Sequence, residues 1–101
     1  MWMTVMFDLP VVLKEERKAA ARFRLTLLDL GFEMAQLSVY MRFCTSVGQV
    51  EALGRRVEAA LPDGGKVNIL TFTDKKYERI ITYHGGRRQA PERSPDQFDL
   101  F

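Results

Sequence analysis

One cysteine and one histidine are all that this 101-residue chain offers toward thiol or imidazole chemistry. Cys44 has no second thiol to pair with, so no internal disulfide staples the fold and a reducing, cytoplasmic setting is expected. It reads as a small buried hydrophobe. Zinc held by several Cys and His side chains is excluded for a single chain. A Ser-His-Asp site would have to be built on His84, which stands beside Gly85 and Gly86 with no sign of a strained nucleophile turn. No apolar run approaches the roughly 20 residues of a membrane span. No basic lead-in of the kind a secretory signal needs precedes the first apolar stretch. The glycine pairs Gly64-Gly65 and Gly85-Gly86 are too short to cradle a phosphate chain, and no Gly-Lys-Ser/Thr follows either. The Gly-Phe-Gly-Phe core of RNA-recognition domains is also missing, so Tyr40, Phe72, Tyr77 and Tyr83 are read as packing residues.

What is present is enough for one domain. Hydrophobic residues make up 47% and charged residues 28%, an ordinary globular balance. A net charge of +2 permits a polyanionic partner without demanding one. The positive charge is gathered: residues 14–24 hold Lys14, Arg17, Lys18, Arg22 and Arg24 against Glu15 and Glu16.

The N-terminal stretch organises the rest. From Trp2 to Phe7 nearly every residue is β-branched, aromatic or Met, the mark of a strand in the middle of a sheet. Asp8 is the first charge and Pro10 withdraws a backbone donor, which ends the ladder. A carboxylate thus stands at the tip of a rigid strand, where a metal-binding or proton-moving acid belongs. The competing reading is that Asp8 caps the following turn.

Residues 14–30 turn helical, with Ala20, Phe23, Leu27 and Leu30 on one stripe and Gly31 as the natural C′ residue. A second stripe, Ala21, Leu25 and Leu28, lies too far round to face the sheet fully and hints at another subunit. Residues 32–44 read as strand, with Leu37, Val39, Met41 and Phe43 alternating against Ser38, Tyr40, Arg42 and Cys44; residues 33–36 form a short separate strand before a tight bend. Ser46 and Gln49 match a capping box for a second helix carrying Val50, Leu53, Val57 and Leu61. Residues 66–73 make the next strand, 74–76 a turn, and 77–84 a further strand through Ile80, Ile81 and Tyr83.

This order predicts an α+β fold, the ferredoxin-like split β-α-β sandwich, with two helices on one sheet face. The opposite face exposes apolar residues and favours a homodimer. The domain spans 1–84. Residues 85–101 read as a linker and docking tail in which Phe98 and Leu100, with Phe101, add a small strand to an exposed edge; the competing reading is a frayed tail. Lys14, Arg17, Lys18, Arg22, Arg87 and Arg88 are the candidates for nucleic-acid contact, chosen on charge alone.

Three segments together carry a resemblance: Val5-Met6-Phe7-Asp8-Leu9-Pro10, a basic helix closing at Leu30-Gly31-Phe32, and Gln36-Leu37-Ser38-Val39-Tyr40. They resemble the second of the universal CRISPR-associated adaptation proteins, a family of small ferredoxin-like homodimers, through residues 1–83. Residues 97–101 resemble the tails of members from type II loci. The resemblance implies a role in spacer acquisition, with the dimer set between integrase subunits and holding double-stranded DNA. It also implies metal-dependent endonuclease activity on DNA or single-stranded RNA, with Asp8 as catalytic residue and ligand of Mg2+ or Mn2+. A non-catalytic DNA-bridging scaffold and a toxin-like ribonuclease are the alternatives. One carboxylate is a thin site for an ion that wants six oxygens unless water, phosphate or a second Asp8 across a twofold axis completes it.

Overall fold

In the computed structural model, which describes residues 1–95, the long apolar stretch becomes β1 (Trp2–Asp8), and it is central as expected. Strand β1 lies between β3 (Val39–Phe43) and β4 (Lys66–Phe72), antiparallel to both, and β2 (Glu33–Gln36) pairs outside β3. With α1 (Lys14–Asp29) and α2 (Val47–Ala59), the order β-α-β-β-α-β is complete at Phe72. This is the ferredoxin-like α+β plan.

Alternation along β1 assigns the two faces. Met3, Val5 and Phe7 form one core with Phe23 and Leu27 of α1 and Leu53 and Val57 of α2, so both helices cover the same side. Phe7 meets the Phe23 ring edge-on at 5.3 Å and the Tyr40 ring at 5.7 Å. On the other side stand Trp2, Thr4, Met6 and Asp8, opposite Phe43, Met41 and Val39 on β3 and Phe72, Leu70, Asn68 and Lys66 on β4. This face, turned away from α1 and α2 and touched by the short helix α3 (Asp74–Glu78) at Trp2, is mostly apolar and only partly covered.

The faces of β3 follow from its pairing with β1, and the reading of Tyr40 and Cys44 as packing residues holds. Tyr40 and Cys44, not Val39, Met41 and Phe43, are buried in the core. Val5 pairs with Tyr40, and residues directly opposite each other share a face, so the register of β1 decides the matter. Leu37 lies in the turn between β2 and β3, 83% exposed, rather than continuing the strand. Ser38 takes a positive φ of 62° there, and its carbonyl accepts the Phe7 N–H at 3.1 Å.

Both helix boundaries follow their local signals. At the end of α1, Gly31 N–H donates to Leu28 O and Phe32 N–H to Leu27 O, each at 3.0 Å, the double bond of a Schellman motif. Gly31 has φ +88°, and a Cβ there would come within 2.7 Å of Arg42 Nε. The second stripe of α1 is indeed unburied: Leu25 and Leu28 face solvent. At α2, Ser46 Oγ accepts the Gln49 N–H, while the Gln49 side chain reaches back to Thr45 N–H rather than to Ser46. Leu61 falls beyond the helix and is exposed.

The strand expected over 77–84 is replaced by other structure. Thr73 Oγ1 accepts the Lys76 N–H and starts α3. Its acidic first turn and basic last turn match the helix dipole, and Asp74 also meets the Met1 ammonium at 2.8 Å. Only Tyr83–His84 remains extended, as β5, pairing with β6 (Arg87–Arg88) in a separate two-stranded hairpin. That hairpin straddles the position where the domain was expected to give way to linker. The docking strand expected at Phe98, Leu100 and Phe101 lies outside the described residues. Among the described residues, no helix is long and apolar enough to cross a membrane.

Candidate functional site

Asp8 is the last residue of β1 and faces Lys66 across the ladder. Two contacts fix its backbone. On the β3 side Phe7 N–H is held by Ser38 O. On the β4 side Gly65, with φ +86°, lies so close that a Cβ would stand 2.6 Å from Asp8 O and 2.9 Å from Leu9 Cδ2. Only glycine gives that conformation and that approach together. The carboxylate itself is exposed. Among the described residues no hydrogen bond or ion pair engages it, so the turn-capping alternative finds no bond to rest on.

Among the described residues no group of three or more His, Cys, Asp or Glu side chains converges to hold a metal ion. The described residues therefore do not supply a closed protein cage. Magnesium commonly keeps several waters and takes one or two carboxylates plus phosphate oxygens from the substrate. A single unpaired carboxylate on a rigid strand end fits that open mode of binding.

The basic residues fall into two groups. Lys14, Lys18 and Arg22 are exposed and four residues apart along α1, hence on one helix face. The helix begins six residues after Asp8, which places its N-terminal half at the same end of the sheet. Arg17 behaves differently: its guanidinium donates to Val12 O at 2.6 Å and Val11 O at 3.3 Å, tying down the loop between β1 and α1. Arg22 also lines an open groove of about 350 Å³ with Leu9, Pro10 and Pro62, but Glu15, Glu16 and Asp63 line it too, so the groove is not a cationic cleft.

Arg87 and Arg88 form the second group, exposed on β6. As neighbours on one strand they point to opposite faces of the hairpin, Arg87 beside His84 and Arg88 beside Tyr83. The turn between the strands is Gly85-Gly86, both with positive φ (57° and 82°), and added Cβ atoms would meet nothing within 4 Å. This is a thin, fully exposed finger.

The base of that finger holds residues that sequence reasoning did not single out as functional. The rings of Trp2 and Tyr77 stack with centroids 3.9 Å apart and planes 10° from parallel. Trp2 Nε1 donates to Ser94 Oγ at 3.3 Å, and Tyr77 OH donates to Glu92. Burial, this bond and the charges of Glu92 and Glu33 push the Tyr77 phenol up to about 12. The signal that could have pointed here is the sole tryptophan of the chain, placed at the edge of an otherwise apolar strand.

Comparison with known proteins agrees with this architecture. Residues 1–80 match the family model described as CRISPR associated protein Cas2. A CRISPR-associated endoribonuclease Cas2 of Paracidovorax avenae is 65% identical over 101 residues, covering all of this chain and 94% of that protein. A protein of the same description from Parvibaculum lavamentivorans is 46% identical over the full length of both chains. One from Flavobacterium psychrophilum is 38% identical over all of this chain and 88% of its own length. This chain belongs to the Cas2 family of CRISPR-associated proteins.

Proposed function

We propose that this chain is a phosphodiester-cleaving endonuclease of CRISPR adaptation, working as a homodimer with Asp8 at its metal site. The observation that carries the reading is the Asp8 carboxylate, unengaged among the described residues and held on a strand tip fixed by Ser38 and Gly65. The relatives' description as endoribonucleases supports cleavage of RNA, and duplex DNA is the substrate of the acquisition role. A divalent cation, Mg2+ or Mn2+, supplies Lewis-acid stabilisation of the phosphodiester when bound. Asp8 is the residue that would hold it.

The rest is done by the chain's own charge and shape. Lys14, Lys18 and Arg22 at the Asp8 end, and Arg87 and Arg88 on the finger, neutralise backbone phosphates without reading bases. The apolar face turned away from α1 and α2, with Met6, Val39, Met41 and Leu70, is where a second copy packs, so that two Asp8 side chains serve one assembly. An integrase subunit is the further partner, with Phe98, Leu100 and Phe101 as the docking tail.

A second reading has its own support. One chain gathers no cluster of metal ligands among the described residues, which favours a non-catalytic scaffold that bridges integrase subunits across duplex DNA. The two separate on one variant. Asp8→Asn is assayed for metal-dependent cleavage of single-stranded RNA and duplex DNA, and for spacer acquisition in cells. Loss of cleavage together with acquisition supports the nuclease reading. Loss of cleavage with intact acquisition assigns the cellular role to the scaffold, and unchanged cleavage removes Asp8 from the site.

A further inference from the structure

Between Tyr77 and Ser94 the chain makes an excursion whose middle is exposed throughout. Every residue from 79 to 93 is exposed, whereas Ser94 is completely buried. The hairpin inside this excursion is short, with the pairs Tyr83–Arg88 and His84–Arg87 and one further bond from Gln89 N–H to Thr82 O at 2.7 Å. An isolated two-stranded hairpin is marginal in water, so where its charges are presented depends on how its base is held. The base is held where Trp2 stacks on Tyr77 and bonds Ser94, and Tyr77 bonds Glu92. Both ends of the excursion thus converge on one ring of β1.

We propose that Trp2, Tyr77, Glu92 and Ser94 form a neck that fixes the β5–β6 hairpin in its nucleic-acid-binding position, making them positioning residues for Arg87 and Arg88. The charge distribution fits a finger built for phosphate. From residue 79 to 91 the chain carries Arg79, His84, Arg87 and Arg88 and no acidic residue. The acid that follows, Glu92, is turned into the neck and bonded by Tyr77, so it does not oppose the arginines at the tip. The Tyr77 hydroxyl, protonated throughout the neutral range as a phenol ordinarily is, donates to the Glu92 carboxylate. With the neck closed, the finger meets phosphate already placed. With the neck open, the same charges must be ordered on binding, which weakens affinity.

The inference rests on the reading that the hairpin contacts nucleic acid, and the test separates the two. Binding of a labelled duplex DNA of fixed length to the full chain is measured across a salt series. The proteins are wild type, Tyr77→Phe, Glu92→Ala, Glu92→Gln, the double variant Arg87→Ala/Arg88→Ala, and the double variant carrying Tyr77→Phe as well. Tyr77→Phe keeps the stacked ring and removes only the bond to Glu92. It is expected to weaken binding about fivefold, the low end of ordinary coupling between sites. Glu92→Ala should match it, and Glu92→Gln, which still offers an acceptor, should restore most of the affinity. Tyr77→Phe should have no effect when Arg87 and Arg88 are already absent, an outcome that a loss of overall stability would not produce. Fluorescence of Trp2, the sole tryptophan, reports neck opening independently of binding. Equal losses in both backgrounds, or none in either while the arginine variant binds poorly, overturn the neck and leave the hairpin reading standing. If Arg87→Ala/Arg88→Ala binds as wild type, the hairpin reading itself is wrong and the neck falls with it.

Discussion

Trp2 and Tyr77 lie at opposite ends of the ferredoxin-like domain's sequence yet stack face to face, 3.9 Å between ring centroids. The stack joins the first residue of the central strand to a one-turn helix that follows the last strand of the sheet. It also places the Tyr77 hydroxyl where burial and Glu92 act on it together. An aromatic pair of this kind is worth about 0.5–1.5 kcal/mol beyond its buried area. Asp8 stands at the other end of the same strand, about 20 Å away at ~3.4 Å per residue. One strand therefore carries the candidate metal ligand at one end and the anchor of the basic finger at the other.

The raised phenol has a measurable consequence for stability. A tyrosine whose pKa is about 12 in the folded chain and near 10 when unfolded favours the folded state while it is protonated. That contribution is fully present below pH 10 and is lost as pH rises through about 12, because the unfolded chain releases the proton first. Absorbance titration of the phenols should show a late step near pH 12 from Tyr77. Tyr77→Phe should remove that late step and the part of the alkaline destabilisation that accompanies it.

Gly65 should tolerate no side chain. Its φ of +86° alone costs a non-glycine residue about 1–2 kcal/mol, and an alanine Cβ would also press on Asp8 O at 2.6 Å. Gly65→Ala is expected to lower stability by about 2 kcal/mol or more in urea denaturation and to reduce cleavage through displacement of the Asp8 tip. Gly85→Ala also meets a positive φ but has open space around it, so it should cost only the backbone strain of about 1–2 kcal/mol and leave the Asp8 end unchanged.

Arg17 and Lys18 are adjacent in sequence but should behave differently. Arg17 spends its guanidinium on Val11 O and Val12 O, so Arg17→Ala should loosen the β1–α1 loop at about 1 kcal/mol and alter the salt dependence of duplex binding little. Lys18 is exposed. Lys18→Ala should leave stability within about 0.5 kcal/mol and reduce the slope of log affinity against log salt by roughly one. Thermal unfolding and a salt titration of each variant decide the matter.

The sheet and both long helices were legible because their signals are local. The stripe of Ala20, Phe23, Leu27 and Leu30, the Gly31 stop and the Ser46 cap all act within a few residues, and each was found where it was expected. Two things were not legible. The core-facing side of β3 depends on its register with β1, so alternation alone could not choose between Tyr40 and its neighbours Val39 and Met41. Residues 77–84 do not continue as the strand that Ile80, Ile81 and Tyr83 favour: Thr73 caps a short helix there, and Tyr77 within it stacks on Trp2, far away in sequence. Charge alone likewise could not distinguish Arg17, which is engaged with the loop carbonyls, from Lys18.

The most direct test of the candidate site is the effect of Asp8→Asn on ion binding rather than on turnover. The carboxylate is exposed and bonded to nothing among the described residues, so replacing it with an amide of the same shape removes charge and little else. Stability should therefore change by no more than about 0.5 kcal/mol. Binding of Mg2+ or Mn2+ measured by calorimetry should fall below detection, because an amide oxygen is a poor substitute for an anionic ligand when water supplies most of the remaining coordination. Glu at this position keeps the charge but extends it by one methylene, so Asp8→Glu should bind the ion more weakly than wild type and more tightly than Asp8→Asn. If all three bind alike, the ion is held elsewhere and Asp8 is not its ligand. If wild type alone binds, and its binding stoichiometry is one ion per two chains, the twofold arrangement of Asp8 follows directly, because each ion then draws on both copies.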